Sequence, residues 1–373
     1  MNARHSRLSR RDFLKLGSAV LGTLALRPWN QLPSPPPQFP TAERLGRVLN
    51  MVEVKAAPNE GAVTVKKLYE DTIVEWLREV VGPKPYYVNQ RWVETPEGYI
   101  YAPYLQPVAN HPNQPLTAIP EGKPGFWAEV TVPYVDLILD NPPPRSPWLK
   151  DTLAMGYSPR LYYSQVVWID QIRQEGERIL YRFNEDLGHG YGYGDIFWAD
   201  GTAFRPLTEE DVAPISPDVD PNDKHIKVNL TYQTLSCFEG NTEVYFCRIS
   251  SGAKWDAYGN PTDKWSTPVG DLSTWRKIIS LHMSGGTTGA GYDTPAISWT
   301  TLIHGDGIAI HAAFWHNDFG APRSHGCINA RPEDAKWIFR WTTPYVSLDA
   351  SEQQMTWPDH GTIVTVTERT LQS

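Results

Sequence analysis

The sequence predicts a mainly β protein built from several units. Short runs of alternating apolar and polar residues, separated by Gly and Pro, recur along the chain and are typical of strands. The composition agrees, because 15 Trp and 18 Tyr are too many for a disordered chain and 33 Pro too many for a helical bundle. At 373 residues, the chain is long enough for two or three domains.

Residues 1–27 have the pattern of an export signal. Arg10 and Arg11 precede Phe13, and an apolar run extends from Leu16 to Leu26. This pattern is typical of a twin-arginine signal, and the run is shorter than the roughly 20 residues that a membrane-spanning helix needs. We expect export to the periplasm, cell wall or extracellular face. Leu24–Arg27 is a poor cleavage site, so removal and retention as an anchor both stay open.

The middle of the chain predicts a linker and two small β modules. Residues 28–40 contain six prolines, which favour an extended linker, predicted over 28–60. Alternation around a turn predicts a hairpin within 91–108, and a similar strand, turn and strand recur within 180–207. These segments resemble bacterial SH3-like modules, which we place at 61–120 and 121–220. Trp92 and Trp198 at alternating positions are expected in their cores rather than in a glycan-stacking groove.

Residues 221–373 predict a third β-rich unit with one helix. A run from Val228 to Leu235 reads as its opening strand, and a hairpin is expected around Gly240–Asn241. That turn does not bring Cys237 and Cys247 opposite each other, so we expect two buried, unpaired thiols. Pro332 at the first helical position predicts a helix over 332–341.

Residues 308–329 hold the groups that suggest chemistry. A turn at Gly305–Gly307 predicts a hairpin whose second strand ends at His311, and Cys327 follows Gly326 shortly before the helix. A free thiol is only a few per cent ionised at neutral pH, so an adjacent His and the helix dipole are expected to favour the thiolate. An alternative is a zinc site, although no CxxC, HxxxH or HExxH spacing supports it. Its ligands would come from His304, His311, His316, His325 and Cys327.

The order of His311 and the later Ser324-His325-Gly326-Cys327 resembles the signature of the YkuD-like L,D-transpeptidases. The resemblance covers about 225–367 and departs from the family pattern at Ala312 and Asn329, where Gly and Arg are usual. It implies a β-rich L,D-transpeptidase-like domain with a helix beside the active site. The residue roles that it implies are a nucleophile at Cys327, a general base at His311, acyl-site support from His325, loop support from Ser324, a backbone oxyanion contact at Gly326 and a backbone carbonyl of Ala312 that orients His311.

The resemblance implies a function in cell wall biogenesis. The enzyme would take peptidoglycan stem peptides as donor and acceptor, form 3-3 cross-links and be inhibited by carbapenem-type β-lactams, with no cofactor or metal. Hydrolysis of the same acyl-enzyme, as in an L,D-carboxypeptidase or endopeptidase, is an alternative, and so is a noncatalytic wall-binding protein. A net charge of -8 argues against nucleic acid as a partner.

Overall fold

The structure is a computed structural model that describes residues 37–190, 192–255, 260–285, 292–356 and 358–369. The predicted export signal lies outside the described residues. Within them the chain forms 26 strands in six sheets and three α-helices, which confirms the prediction of a mainly β fold. No helix of the described part is long and apolar enough to cross a membrane.

The first unit spans residues 45–108 and consists of a three-stranded sheet (β4-β1-β8) beside a five-stranded sheet (β3-β2-β7-β6-β5). Its strands are β1 (Leu45–Val48), β2 (Val52–Lys55), β3 (Thr64–Leu68), β4 (Ile73–Glu75), β5 (Arg78–Val81), β6 (Arg91–Thr95), β7 (Gly98–Tyr101) and β8 (Leu105–Val108). β6 and β7 form the predicted hairpin, and Trp92 is buried as expected. The linker predicted over 28–60 overlaps this unit, since β1 and β2 lie within that range. Leu45 and Val48 are buried in the core of the unit, so this part of the chain is packed and not an extended linker.

The second unit spans residues 126–206 and is organised around a six-stranded sheet (β11-β15-β14-β13-β9-β16), with β10 and β12 paired separately. Its elements are β9 (Phe126–Val130), β10 (Tyr134–Asp136), β11 (Ile138–Leu139), α1 (Pro147–Ala154), β12 (Arg160–Tyr162), β13 (Val166–Glu175), β14 (Arg178–Asn184), β15 (Ile196–Asp200) and β16 (Phe204–Pro206). Trp198 is buried, as predicted. His189 is buried in this unit and accepts a hydrogen bond from the Trp168 amide at 3.1 Å.

The first two units end with the same arrangement of a turn and a final strand. In each, a 3-10 turn precedes the last strand, at Ala102–Tyr104 in the first unit and at Gly201–Ala203 in the second. The last strand then pairs antiparallel with the first strand of its own unit, β8 with β1 and β16 with β9. A common strand arrangement therefore underlies the similar sequence patterns.

The third unit spans residues 224–367, after a short helix α2 (Glu209–Val212), and contains two five-stranded sheets, β19-β18-β17-β26-β20 and β24-β23-β22-β21-β25. Its elements are β17 (Lys224–Asn229), β18 (Thr234–Glu239), β19 (Thr242–Arg248), β20 (Gly270–Ser273), β21 (Arg276–Gly285), β22 (Tyr292–Leu302), β23 (Ala309–Ala312), β24 (Ile328–Ala330), α3 (Pro332–Trp341), β25 (Glu352–Gln354) and β26 (Ile363–Thr367). The predicted helix is confirmed, with Pro332 in its first turn and Ile338 and Phe339 buried in the core.

The prediction of one strand from Val228 to Leu235 is wrong, because the chain turns between β17 and β18. Gln233 adopts a positive φ of 53° there, and its side-chain amide donates to the Leu230 carbonyl at 2.6 Å. The predicted hairpin around Gly240 is formed by β18 and β19. Cys237 and Cys247 are buried and unpaired, as expected, because they lie opposite other residues in the hairpin.

Candidate active site

Two adjacent parallel strands place the predicted catalytic residues side by side. β23 pairs with β24 in a register that sets His311 opposite Asn329, and Cys327 is the residue immediately before β24. The predicted hairpin that delivers His311 is present, since Thr301 in β22 pairs with Ile310 in β23. The side chains of His311 and Cys327 line a single open cleft of about 350 Å³.

His311 is a neutral base. It is buried, and its Nδ1 lies 3.0 Å from the carbonyl oxygen of Ala312. This contact is the hydrogen bond that the family resemblance implies. A neutral ring that donates through Nδ1 leaves Nε2 to accept a proton. Burial lowers the pKa of His311 to about 4, so the ring is uncharged at neutral pH.

The thiol of Cys327 is protonated at neutral pH. Burial raises the pKa of Cys327 to about 11, and a backbone hydrogen bond from Ala309 only partly offsets this effect. Along the chain, β24 lies between Cys327 and the start of α3 at Pro332. The structure therefore contains a neutral thiol and a neutral imidazole rather than a preformed ion pair.

The loop before Cys327 is held by Ser324. The Ser324 hydroxyl donates to the carbonyl oxygen of Cys327 at 2.5 Å and accepts the Gly326 N–H at 3.1 Å. Gly326 has a φ of +118°, and an added Cβ would lie 2.8 Å from Cδ1 of Ile308. Gly326 is thus needed for the path of the chain. Its N–H, expected to face an oxyanion, is engaged by Ser324 in this structure.

His325 lies at the mouth of the cleft. Its ring is exposed and contacts Trp265, with ring centroids 5.0 Å apart, and Tyr292, with centroids 5.3 Å apart. Two aromatic neighbours fix the plane of the imidazole where it lines the same cleft as Cys327. This position agrees with a supporting contact to a bound acyl group.

His316 and Asn329 form a pair in the cleft that the sequence did not reveal. Both are buried, and the Asn329 amide lies 2.9 Å from Nε2 of His316. Burial lowers the pKa of His316 to about 3, so this ring too is neutral. Among the described residues, Oδ1 of Asn329 has no hydrogen-bond partner, although Asn329 lines the cleft. A bound substrate can supply that hydrogen bond.

Little in the sequence indicates this pair. His316 entered only the zinc alternative, and Asn329 appeared only as a departure from the family pattern. Within the described residues, no group of three or more His, Cys, Asp or Glu side chains is arranged to hold a metal ion. The cleft is instead lined by aromatic and polar groups, among them Tyr292, Trp315 and Arg323.

The third unit is similar in sequence to a known catalytic domain. Residues 223–366 match the family model of the YkuD L,D-transpeptidase catalytic domain. The third unit is an L,D-transpeptidase-like domain. The match begins after the first two units and does not include them, and no curated protein matches the sequence.

Solved structures of L,D-transpeptidases are similar to part of this chain. A mutant of the Enterococcus faecium L,D-transpeptidase is 24% identical, with a TM-score of 0.30, over 39% of this chain and 50% of that chain. An L,D-transpeptidase from Mycobacterium smegmatis is 16% identical, with a TM-score of 0.30, over 52% of this chain and 98% of that one. L,D-transpeptidase 3 from Mycobacterium tuberculosis is 15% identical, with a TM-score of 0.30, over 51% and 91% of the two chains. The match to the E. faecium protein thus spans half of that protein's length.

Proposed function

We propose that this protein is a peptidoglycan L,D-transpeptidase that forms 3-3 cross-links through a thioester on Cys327. The observation that supports this proposal most directly is the neutral His311 in the same cleft as the Cys327 thiol, with its Nδ1 bonded to the Ala312 carbonyl. This arrangement leaves one ring nitrogen to take the thiol proton as the sulfur attacks.

Acylation begins with the donor stem peptide in the cleft. Nε2 of His311 accepts the Cys327 proton while Sγ forms a bond to the carbonyl carbon at the L-centre of the third stem residue. The Ala312 carbonyl, hydrogen-bonded to Nδ1 at 3.0 Å, stabilises the imidazolium that forms. The bond to the terminal D-Ala nitrogen then breaks, and His311 returns the proton to that nitrogen. A thioester on Cys327 and free D-Ala are the products.

The acceptor amine completes the cycle. It attacks the thioester carbonyl, His311 takes its proton, and the Cys327 thiolate leaves and is reprotonated. The backbone N–H of Cys327 is our candidate donor to the oxyanion, because the Gly326 N–H is engaged by Ser324. His325 at the mouth of the cleft would support the acyl group.

Carbapenem-type β-lactams are proposed as inhibitors. Among the similar structures are LdtMt1 in complex with imipenem and L,D-transpeptidase 3 from M. tuberculosis with a faropenem-derived adduct. A strained β-lactam carbonyl is an electrophile that an activated thiol attacks readily; the ring C–N bond breaks and the sulfur becomes acylated. We therefore expect one carbapenem per chain, bound covalently to Cys327.

The test uses the full chain with a tetrapeptide stem and with a carbapenem. Wild type should release D-Ala and gain the mass of one carbapenem on the peptide that contains Cys327, and Cys327→Ala should do neither. Release of D-Ala by C327A would refute the proposal. A wild-type protein that gives neither product would favour the noncatalytic wall-binding alternative.

Hydrolysis is the second candidate activity, because water can replace the amine at the same thioester. The cleft is open, so both nucleophiles have access to it. Product analysis with and without added acceptor stem separates the two: cross-linked dimer indicates transpeptidation, and tripeptide alone indicates an L,D-carboxypeptidase.

We also propose that the protein is exported by the twin-arginine route and that the first two units are SH3-like modules. The paired Arg10 and Arg11 support the first proposal, and the shared closure of the two units by a 3-10 turn and a returning strand supports the second. Replacing both arginines by lysine should leave the protein in the cytoplasmic fraction. Export of that variant at the wild-type level would contradict the proposed route.

A further inference from the structure

A second cavity lies beside the active cleft. It has a volume of about 720 Å³, and residues of all three units line it: the turn after β3, the segment that follows α1, and the chain around β22 and Phe314. Thr294 and Trp315 line both this cavity and the cleft that contains Cys327. The cavity therefore lies directly next to the active cleft, with Trp315 at the boundary between them.

Buried polar contacts hold the walls of the cavity in place. Arg47 donates to Asp71 at 2.7 Å and to the Phe314 carbonyl at 3.2 Å, which joins the first unit to the third. Arg160 donates to the same Asp71 at 2.5 Å, which joins the first unit to the second. Gln165 donates to the Pro295 carbonyl at 2.8 Å and joins the second unit to the third. A cavity fixed in this way loses little conformational entropy when a ligand binds.

The lining is rich in aromatic side chains. They make up five of the sixteen lining residues, against 12% of the whole chain: Trp148, Tyr157, Tyr162, Phe314 and Trp315. Tyr162 and Phe314 stack on each other, so they belong to the wall. Tyr157 is 57% exposed and Trp315 36% exposed, and exposed aromatic faces in a concave site are typical of ligand-binding surfaces.

The charges of the cavity restrict the ligand further. Asp71 forms ion pairs with Arg47 and Arg160, and Arg160 also forms an ion pair with Asp136. Glu70 is left as the one lining carboxylate without an ion-pair partner among the described residues. The cavity thus has a small excess of negative charge, which disfavours a stem peptide, because such a peptide carries several carboxylates. A sugar ring, in contrast, offers an apolar C–H face for stacking and hydroxyl and amide N–H groups that donate to a carboxylate.

We propose that this cavity binds the glycan strand of the substrate, a neutral chain of N-acetylated amino sugars, with one ring stacked on Tyr157 and a hydroxyl or amide bonded to Glu70. This inference rests on the proposed function, since it takes the ligand to be the sugar portion of the same wall polymer. The bound strand presents its stem peptide past Trp315 to Cys327. The first two units thereby act as part of the substrate site.

A binding experiment with the full chain tests the site without any reaction. The probe is a soluble hexamer of β-1,4-linked N-acetylglucosamine, titrated by calorimetry into wild type, Tyr157→Ala and Tyr232→Ala. Tyr232 is a matched control, because it is 59% exposed and lies in the turn between β17 and β18, outside the cavity lining. We expect Y157A to bind at least tenfold more weakly than wild type and Y232A to bind equally well. No binding by wild type, or equal binding by Y157A, would overturn the proposal.

Glu70→Gln and added salt identify the class of ligand. Binding of a neutral sugar should be insensitive to salt and should weaken only a few-fold in E70Q, because the amide oxygen still accepts a hydrogen bond. The alternative ligand is a primary amine, for which lysine amide is the probe. If lysine amide bound to wild type but not to E70Q, and not in high salt, the cavity would be an amine site and the glycan proposal would be wrong.

Turnover separates this proposal from the proposed function. The ratio of kcat/KM on glycan-bearing stems to that on free tetrapeptide should fall at least tenfold in Y157A and stay constant in Y232A. Sugar binding by a chain that releases no D-Ala would refute the proposed function and leave the binding site standing. Turnover with an unchanged ratio in Y157A would refute the glycan site and leave the proposed function intact.

Discussion

Replacing His311 by Gln tests the role of the neutral imidazole that shares a cleft with the neutral Cys327 thiol in the proposed mechanism. The pKa of Cys327 is raised to about 11, so at pH 7 only roughly one chain in 10⁴ carries a thiolate. His311, with its pKa lowered to about 4, is neutral at that pH and can take the thiol proton during attack. Without this base only the small thiolate fraction reacts. We expect H311Q to be acylated by a carbapenem about 10² to 10⁴ times more slowly than wild type.

The pH dependence gives the sharper result. In wild type the base is lost only below about pH 4, where His311 becomes protonated, so the acylation rate should be level from about pH 5 to pH 10. In H311Q the rate should rise about tenfold per pH unit as the thiolate fraction grows towards the pKa of Cys327 at about 11. Stopped-flow absorbance of the carbapenem chromophore measures both profiles. A wild-type rate that itself rises tenfold per unit between pH 6 and 9 would refute the reasoning.

His304→Gln is the matched control for this experiment. His304 lies in the turn before β23, its side chain is 36% exposed, and it is not among the residues that line the cleft. Its Nδ1 accepts the Asp306 N–H at 3.2 Å, a contact that the amide oxygen of Gln can reproduce. H304Q should therefore keep the wild-type rate and profile. An equal loss in H304Q and H311Q would show that the effect comes from damage to the hairpin.

Three further changes test the contacts around the site, each by the free energy of unfolding in urea. Gly326→Ala should lower the free energy of unfolding by about 1–3 kcal/mol, because φ is +118° and the added Cβ meets Ile308. Gly61→Ala, the control, should leave this free energy nearly unchanged. Arg47→Met should lower the free energy of unfolding by about 3 kcal/mol or more, since it removes a buried partner of Asp71. A decrease below about 1 kcal/mol would contradict this expectation. Asn329→Leu should lower the free energy of unfolding by about 1–3 kcal/mol, because Nε2 of His316 loses its partner, and should raise KM for the tetrapeptide; an unchanged KM would argue against a substrate contact.

The parts of the site that the sequence predicts are those with local signals. The helix at Pro332–Trp341 follows from Pro at its first position and acidic residues in its first turn, and the structure has those bounds. The hairpin before His311 follows from a short glycine-containing turn between two apolar runs. The hydrogen bond between His311 and the Ala312 carbonyl joins neighbouring residues and was expected from the family resemblance.

The features that the sequence does not predict depend on contacts between distant segments. The raised pKa of Cys327 results from burial, which residues far along the chain provide. The pairing of His316 with Asn329 depends on how the segment after β23 folds back over β24. The break between β17 and β18 was missed because apolar residues continue through the turn, where Gln233 alone adopts a left-handed conformation. Periodicity carries no information on any of these.

The contact of Arg47 explains why the first unit matters to a site in the third. Arg47 is 3% exposed and donates to the Phe314 carbonyl across 267 residues of sequence. The next residue, Trp315, lies between the two cavities, and its ring centroid is 5.8 Å from that of His311. A backbone carbonyl fixed by a buried guanidinium limits how far the adjacent side chain can move. The first unit therefore sets the position of the wall between the proposed glycan cavity and His311, the proposed base. A change in Arg47 should alter acylation of Cys327 even where the chain stays folded.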